Sequence, residues 1–190
     1  MIGAATVSRF SIPAGKEREY EEMLRSFGDE VADDKGFVAT SVWQELTDPN
    51  RFVRLTGFKD FDTLFKSYDE MVASGFLEEA VAKWGIAPDV MRLEPVAEHG
   101  TGFKKLRENE ILSLSIRVMD PGYGDAWIEK MKYNFEEISA LPGMAGWFIG
   151  RSDEVSDEIV GVASWESEEA CRRSIPPKVH YPIGIYRRYR

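Results

Sequence analysis

Apolar and polar positions alternate along this chain in two rhythms, and the same succession of rhythms occurs twice. Residues 2–12 carry the branched and aromatic content of a strand, and Pro13, Ala14 and Gly15 then break it. Over residues 16–33 the apolar positions Tyr20, Met23, Leu24, Phe27 and Val31 fall on one face of a helix. Gly36 ends that helix. Residues 37–46 and 51–58 read as two further strands around the turn Thr47, Asp48, Pro49 and Asn50, whose side chains bond locally and whose proline fixes φ. A second helix is expected from Asp60 or Asp62, since either carboxylate suits the open N–H groups of a first turn. Ser74 and Gly75 should kink or split it, Gly85 and Pro88 should stop it, and residues 90–96 supply a fourth strand. The predicted unit is βαββαβ.

Residues 15–67 lie over residues 122–174 without a gap, at a constant offset of 107 that places Gly15 on Gly122 and Gly36 on Gly143. Identities are few, but the pattern agrees at each element: Phe52, Val53 and Leu55 fall on Ile159, Val160 and Val162. Two copies of one fold are expected: a first repeat over 1–98, a linker over 99–109 that lacks apolar period, and a second repeat over 110–190. The second copy departs in its second helix, where Pro176 and Pro177 leave room for only a short one. The strand over 111–119 sets Leu112, Leu114, Ile116 and Val118 on one face and Ser113, Ser115, Arg117 and Met119 on the other. Helices cover one face only, so the other needs a second sheet, and the sibling repeat is the nearest one.

Composition narrows the classes. With 43% hydrophobic and 30% charged residues among 190, the chain suits a globular core and no membrane span of roughly 20 apolar residues. A net charge of −9 disfavours nucleic acid, which is held by clustered Lys and Arg; the basic end Arg187, Arg188 and Arg190 reads as a strand with a solvated edge. One cysteine, Cys171, excludes an intramolecular disulfide and reads as a small packing residue. Residues 1–10 lack the features of a signal peptide, so the expected address is the cytoplasm.

A doubled βαββαβ chain whose hairpins lead into Gly57-Phe58-Lys59-Asp60-Phe61-Asp62-Thr63-Leu64 and Ser164-Trp165-Glu166-Ser167-Glu168-Glu169-Ala170, with Leu141-Pro142-Gly143 before the second strand of copy two, resembles the antibiotic biosynthesis monooxygenase type of dimeric α/β barrel. The resemblance implies an α+β fold of two tandem ferredoxin-like repeats whose antiparallel sheets pair into an intramolecular barrel, and two such chains could associate further. It implies a cofactor-independent monooxygenase acting on a small aromatic, polycyclic or quinone-like compound. The alternative reading is a non-catalytic ligand-binding or stress-associated domain of the same fold, with haem binding or degradation as a third. Haem-degrading relatives carry Asn on the first strand and Trp and His on the second helix. Here the strands offer Ser8 or Arg9 and Ser115 or Ile116, and the helix offers Arg172 and Arg173.

Such chemistry needs aromatic walls and a few polar groups that favour an electron-rich anion. Trp43, Trp147 and Trp165 on the hairpin strands are candidate walls or core fillers. Arg54, flanked by Val53 and Leu55, and Arg117, beside Ser115, are candidate anion stabilisers; each reads more readily as a strand-edge Arg with its stem on apolar surface and its head in water. Tyr68 and Tyr133 are candidate hydroxyl donors at helix positions expected to face the sheet. Asn134 replaces Phe27 of the first copy, a polar break that a rotation of the stripe onto Phe135 explains as well. His180 is the candidate base, and His99 reads as solvated. Two isolated histidines and one cysteine give no metal set, no phosphate loop of nucleotide spacing occurs, and no cofactor is expected. The acidic run over 152–158 reads as a solvated hairpin tip. If one cavity exists, either the longer second helix of the first copy shapes it, or the shorter connection of the second copy leaves the sheet open near His180; the sequence does not choose between them.

Overall fold

The computed structural model describes residues 2–20, 22, 36–84, 88–100, 102–177 and 182–189. Four strands come from the first repeat: β1 Ala4–Ser11, β2 Phe37–Glu45, β3 Arg51–Phe58 and β4 Asp89–Gly100. Helices α1 Phe61–Ala73 and α2 Phe76–Trp84 precede β4. A 3-10 turn, Phe103–Glu108, leads to β5 Ile111–Val118, α3 Gly124–Ser139, β6 Met144–Ser152, β7 Glu158–Trp165, α4 Glu168–Ser174 and β8 Gly184–Arg188. The bounds of β5, β6 and β7 are those of β1, β2 and β3 displaced by 107 at both ends. Residues 17–20 are helical, whereas Met23, Leu24, Phe27 and Val31 of the predicted stripe lie outside the described residues.

The strands close into one barrel in the order β1-β3-β2-β8-β5-β7-β6-β4. Each repeat contributes a ferredoxin-like sheet with its first strand beside its third, and two antiparallel seams join the sheets. One seam pairs β4 with β6 from Leu93↔Ser152 to Gly100↔Gly146. Its register shifts between Pro95 and Ala97, where the proline lacks the N–H a ladder needs. The other seam is shorter, pairing β2 with β8 from Trp43↔Arg188 to Glu45↔Tyr186.

Alternation along the strands sends one set of side chains inward. Val7, Trp43, Val53 and Leu55 from the first repeat pack there against Leu112, Leu114, Phe148, Val160 and Val162 from the second. The apolar face read from β5 is thus covered by the sibling sheet, as its pattern demanded. The connecting segment, read as a linker without apolar period, is anchored in the same core: Phe103 and Leu106 are buried there, and the Phe103 ring meets Phe148 edge-on at 5.1 Å. Each such burial contributes on the order of 2 kcal/mol. Gly57 makes the fit, since a Cβ there would stand 2.9 Å from the Phe103 ring.

The outward faces carry the helices. Asp60 caps α1 by accepting from Thr63 N at 2.8 Å, and its counterpart at the repeat offset, Ser167, caps α4 by accepting from Ala170 N at 3.2 Å. Gly75, at φ 74°, separates α1 from α2, which is the split predicted at Ser74-Gly75. Helix α4 ends at Ser174, two residues before the Pro176-Pro177 pair.

Candidate functional site

Between the outer face of the first sheet and its helices lies a cavity of about 240 Å³. Its floor consists of two cross-strand rows. One runs Arg92, Thr6, Thr56, Thr40 across β4, β1, β3 and β2; the next runs Val90, Ser8, Arg54, Val42 over the same strands. Leu64, Ser67, Tyr68 and Met71 of α1 and Phe76, Leu77 and Ala80 of α2 form the roof. Phe10 and Tyr20 close one end, with their rings 4.8 Å apart. The cavity is therefore mostly apolar in its roof and end wall, where Ser67, Tyr68 and Tyr20 add hydroxyls, and its floor carries hydroxyls and two guanidinium groups, Arg54 and Arg92.

Thr40 Oγ1 donates to Leu55 O at 3.3 Å and lies 3.1 Å from Thr56 Oγ1, so these hydroxyls are oriented by the sheet itself. Burial draws the Arg54 pKa below its ordinary value, an effect that nearby Tyr20 partly offsets. Burial also pushes the Tyr20 phenol upward, against the pull of Arg54, which keeps it a neutral donor near neutral pH. The floor thus presents a cation and hydroxyl dipoles to whatever enters, in a setting where water screens them weakly.

The corresponding space in the second repeat is filled. At the repeat offset Thr40 becomes Trp147, Thr56 becomes Ala163, Phe58 becomes Trp165 and Arg54 becomes Gly161. Trp147, Trp165, Met131 and Ile149 are buried there, and Phe135 stacks on Trp147 at 5.4 Å. A Cβ at Gly161 would collide with Met131 Cε and stand 3.0 Å from Ser115 Oγ, so that glycine is what lets α3 settle onto the sheet. The indole N–H groups are satisfied inside this packing: Trp147 donates to Ser139 Oγ at 3.0 Å and Trp165 to Ser113 Oγ at 3.1 Å.

Of the residues singled out by sequence, Arg54 and Tyr68 meet at the first cavity. Trp43 is buried inside the barrel, where it donates to Ser41 Oγ at 2.8 Å. Trp147, Trp165 and Ser115 belong to the filled second face, the Ser115 hydroxyl donating to Gly161 O at 3.5 Å. Arg117 lies 4.4 Å over the Trp127 ring at the far end of that face, in the place that Phe10 and Tyr20 hold in the first repeat. Tyr133 does not face the sheet: it is 62% exposed, and Asn134 is exposed beside it. Met131 and Phe135 take the inward positions, so the stripe rotates onto Phe135. His180 lies outside the described residues. His99 belongs to β4, exposed, with its ring 6.0 Å from that of Trp147. Cys171 is buried in the second core, where burial raises its thiol to about 11.

Sequence reading missed Thr6, Ser8, Phe10, Tyr20, Thr40, Thr56 and Arg92. A signal existed, since Thr6, Ser8 and Phe10 alternate on the strand face opposite Ala5 and Val7. The acidic hairpin is likewise more than a solvated tip. Asp157 accepts from Gly122 N at 3.1 Å and Gly124 N at 2.9 Å, bonds that hold its carboxyl below the usual range. Asp153 and Glu154 bind Arg92. Among the described residues no cluster of three or more His, Cys, Asp or Glu is placed to hold a metal ion, and no helix is long and apolar enough to cross a membrane.

The model of the antibiotic biosynthesis monooxygenase family matches residues 4–70, the stretch that holds β1 to β3 and most of α1. Comparison with curated proteins gives no match. Among solved structures, a proposed monooxygenase from Fusobacterium nucleatum superimposes with a TM-score of 0.76 at 8% identity, over 98% of this chain and 92% of that one. An anthrone oxidase-like protein gives 0.72 at 11% identity, over 98% and 91%. A Listeria monocytogenes ferredoxin-fold protein related to antibiotic biosynthesis monooxygenases gives 0.55 at 8% identity, over 99% and 96%. At such identities the likeness is one of fold, and it extends over both repeats. The fold is an α+β closed barrel built from two ferredoxin-like halves of one chain, and the family model falls within the first of those halves.

Proposed function

We propose that the first repeat is the working half of a cofactor-independent monooxygenase that oxidises a small phenolic or anthrone-like ring compound with dioxygen. The observation that carries this reading is the floor of the cavity: a guanidinium, Arg54, among Thr6, Ser8, Thr40 and Thr56 beneath an apolar roof. Such a floor favours the anion of a bound phenol over its neutral form, since the cation and the hydroxyl dipoles are already oriented when the ligand arrives. The proton leaves to solvent through the opening of the cavity. The electron-rich carbon of the anion then adds dioxygen; one oxygen atom stays on carbon as a new carbonyl, and the other departs as water with the hydrogen left on that carbon and one proton taken back from solvent. The substrate supplies the four electrons that reduce dioxygen to that carbonyl oxygen and water, from the CH₂ of an anthrone or from the O–H and para C–H of a phenol, so the balance needs no external reductant. Pockets for drug-sized ligands measure roughly 300–1,000 Å³. The volume here, about 240 Å³, suits a compact ring system lying flat between floor and α1.

Anthrone in air-saturated buffer is the test. Oxygen uptake and anthraquinone formation above the protein-free rate are expected, with about a hundredfold loss of kcat/KM in Arg54→Met, the scale of losing one oriented charge donor. Binding of 1-naphthol without any oxygen uptake across anthrones and phenols would instead leave a ligand-binding domain that performs no oxidation.

A further inference from the structure

Among the described residues that line the cavity, Tyr68 and Glu154 are the exposed ones, so the cavity meets solvent where α1 approaches the β6–β7 hairpin. Arg92 lies across that corner. Its Nε donates to Asp153 Oδ2 at 3.1 Å, its Nη2 stands 2.6 Å from Glu154 Oε1, and its Cζ lies 5.3 Å from the centroid of the Phe65 ring on α1. Both carboxylates belong to the second repeat, whose own outer face is packed with Trp147, Trp165, Met131 and Phe135. The backbone below is fixed, since Asp153 N donates to Arg92 O at 3.0 Å. What closes the corner is therefore a side-chain clasp on a rigid base.

We propose that Arg92 is the entrance residue that decides which ligands reach Arg54, and that Asp153 and Glu154 of the second repeat are the positioning residues that hold it there. A guanidinium lying near Phe65 and clasped by two carboxylates narrows the opening to a slot. A flat ring passes edge-on through such a slot, while a puckered or branched group of similar volume must first part the clasp. The side chains are partly exposed, at 29% for Arg92, 35% for Asp153 and 61% for Glu154, so salt weakens the clasp and widens the slot. The identity of the natural ligand rests on the function proposed above, but the selectivity of the opening does not.

The test needs no turnover. Ser67, buried on α1 at the cavity roof, is changed to Cys in a Cys171→Ala background, leaving the thiol at position 67 as the chain's only one. Its alkylation by flat N-phenylmaleimide and by puckered N-cyclohexylmaleimide, each scaled to the rate with glutathione, reads the opening. The parent should favour the phenyl reagent. Arg92→Gln should raise the cyclohexyl rate about fivefold and erase the preference, as expected for loss of a partly exposed ion pair. Asp153→Asn with Glu154→Gln should do the same, and all three changes together should do no more than either set alone. The two sets alter local charge in opposite senses, so equal rises report access and not a shifted thiol pKa. Unchanged rates in Asp153→Asn/Glu154→Gln, whose hairpin side chains can change without disturbing the core, would overturn the proposal. Altered maleimide access together with no anthrone oxidation would leave the entrance standing and remove the oxygenase reading.

Discussion

The two repeats lay the same strands at the same register and then treat the outer face of the sheet in opposite ways. In the first, Thr40, Thr56 and Arg54 give a polar floor, and α1 and α2 arch over a cavity. In the second, Trp147, Ala163 and Gly161 occupy those three positions, and Met131 and Phe135 come down onto the sheet. The difference is local: a large side chain on β6, a missing one on β7 and a short α4 convert a binding surface into a core. A ferredoxin-like half therefore has two ways of covering its outer face, and the floor positions 40, 54 and 56 differ from their counterparts 147, 161 and 163 accordingly.

The largest effect should come from imposing one repeat's floor on the other. Gly161→Arg drives a long cation into a space held by Met131 and Phe135, and should cost about 3–5 kcal/mol in urea unfolding, through overpacking and a buried charge. Arg54→Gly, the reverse change, borders an open cavity and should shift the unfolding free energy by no more than about 1 kcal/mol. Equal costs at the two sites would end the distinction between filled and open halves.

Next in size, Trp147→Ala should cost about 3 kcal/mol or more by leaving a hole beside Phe135. Thr40→Trp should instead fill the first cavity while the protein remains folded, and 1-naphthol binding followed by fluorescence should weaken at least about tenfold. Retention of naphthol affinity in Thr40→Trp would place the ligand elsewhere.

The smallest effect separates the halves by pH. Tyr20 in the first repeat and Cys171 in the second both hold their protons more tightly folded than unfolded, because burial disfavours their anions. The stability each provides is present below its unfolded pKa and is lost as pH rises through the folded value. For Cys171 the window runs from the ordinary 9.0 to about 11, and for Tyr20 it begins near the ordinary 10.0. The urea midpoint should fall as pH is raised above 9, and Cys171→Ala should flatten the first part of that fall, Tyr20→Phe the later part.

Much of the architecture was legible because β-strands repeat with period two and the duplication holds one offset over many residues. The apolar face of Leu112 and Leu114 demanded a second sheet, and Gly75 announced a broken helix. Arg54 could be noticed as a charge between Val53 and Leu55, although nothing in the strand said which element would cover it. The tryptophans show what a single strand conceals. The offset puts Trp43 over Gly150 and Trp147 over Thr40, and the odd separation between those two registers means that the indoles point to opposite sides of the sheet. Tyr133 and Asn134 were harder, since a helix stripe is defined only to within about one residue and Phe135 was free to take the inward place. Arg92 was beyond reach, because its partners lie 61 and 62 positions away on a hairpin whose seam with β4 no local pattern encodes.

The segment carrying Phe103 and Leu106 does more than span the gap between the repeats. Where two identical subunits build a barrel of this kind, any substitution that plugs one chamber plugs its twin, so both must stay open or both be lost. Fastening the partners end to end removes that symmetry, and leaves one side free to become scaffolding and doorpost for the other.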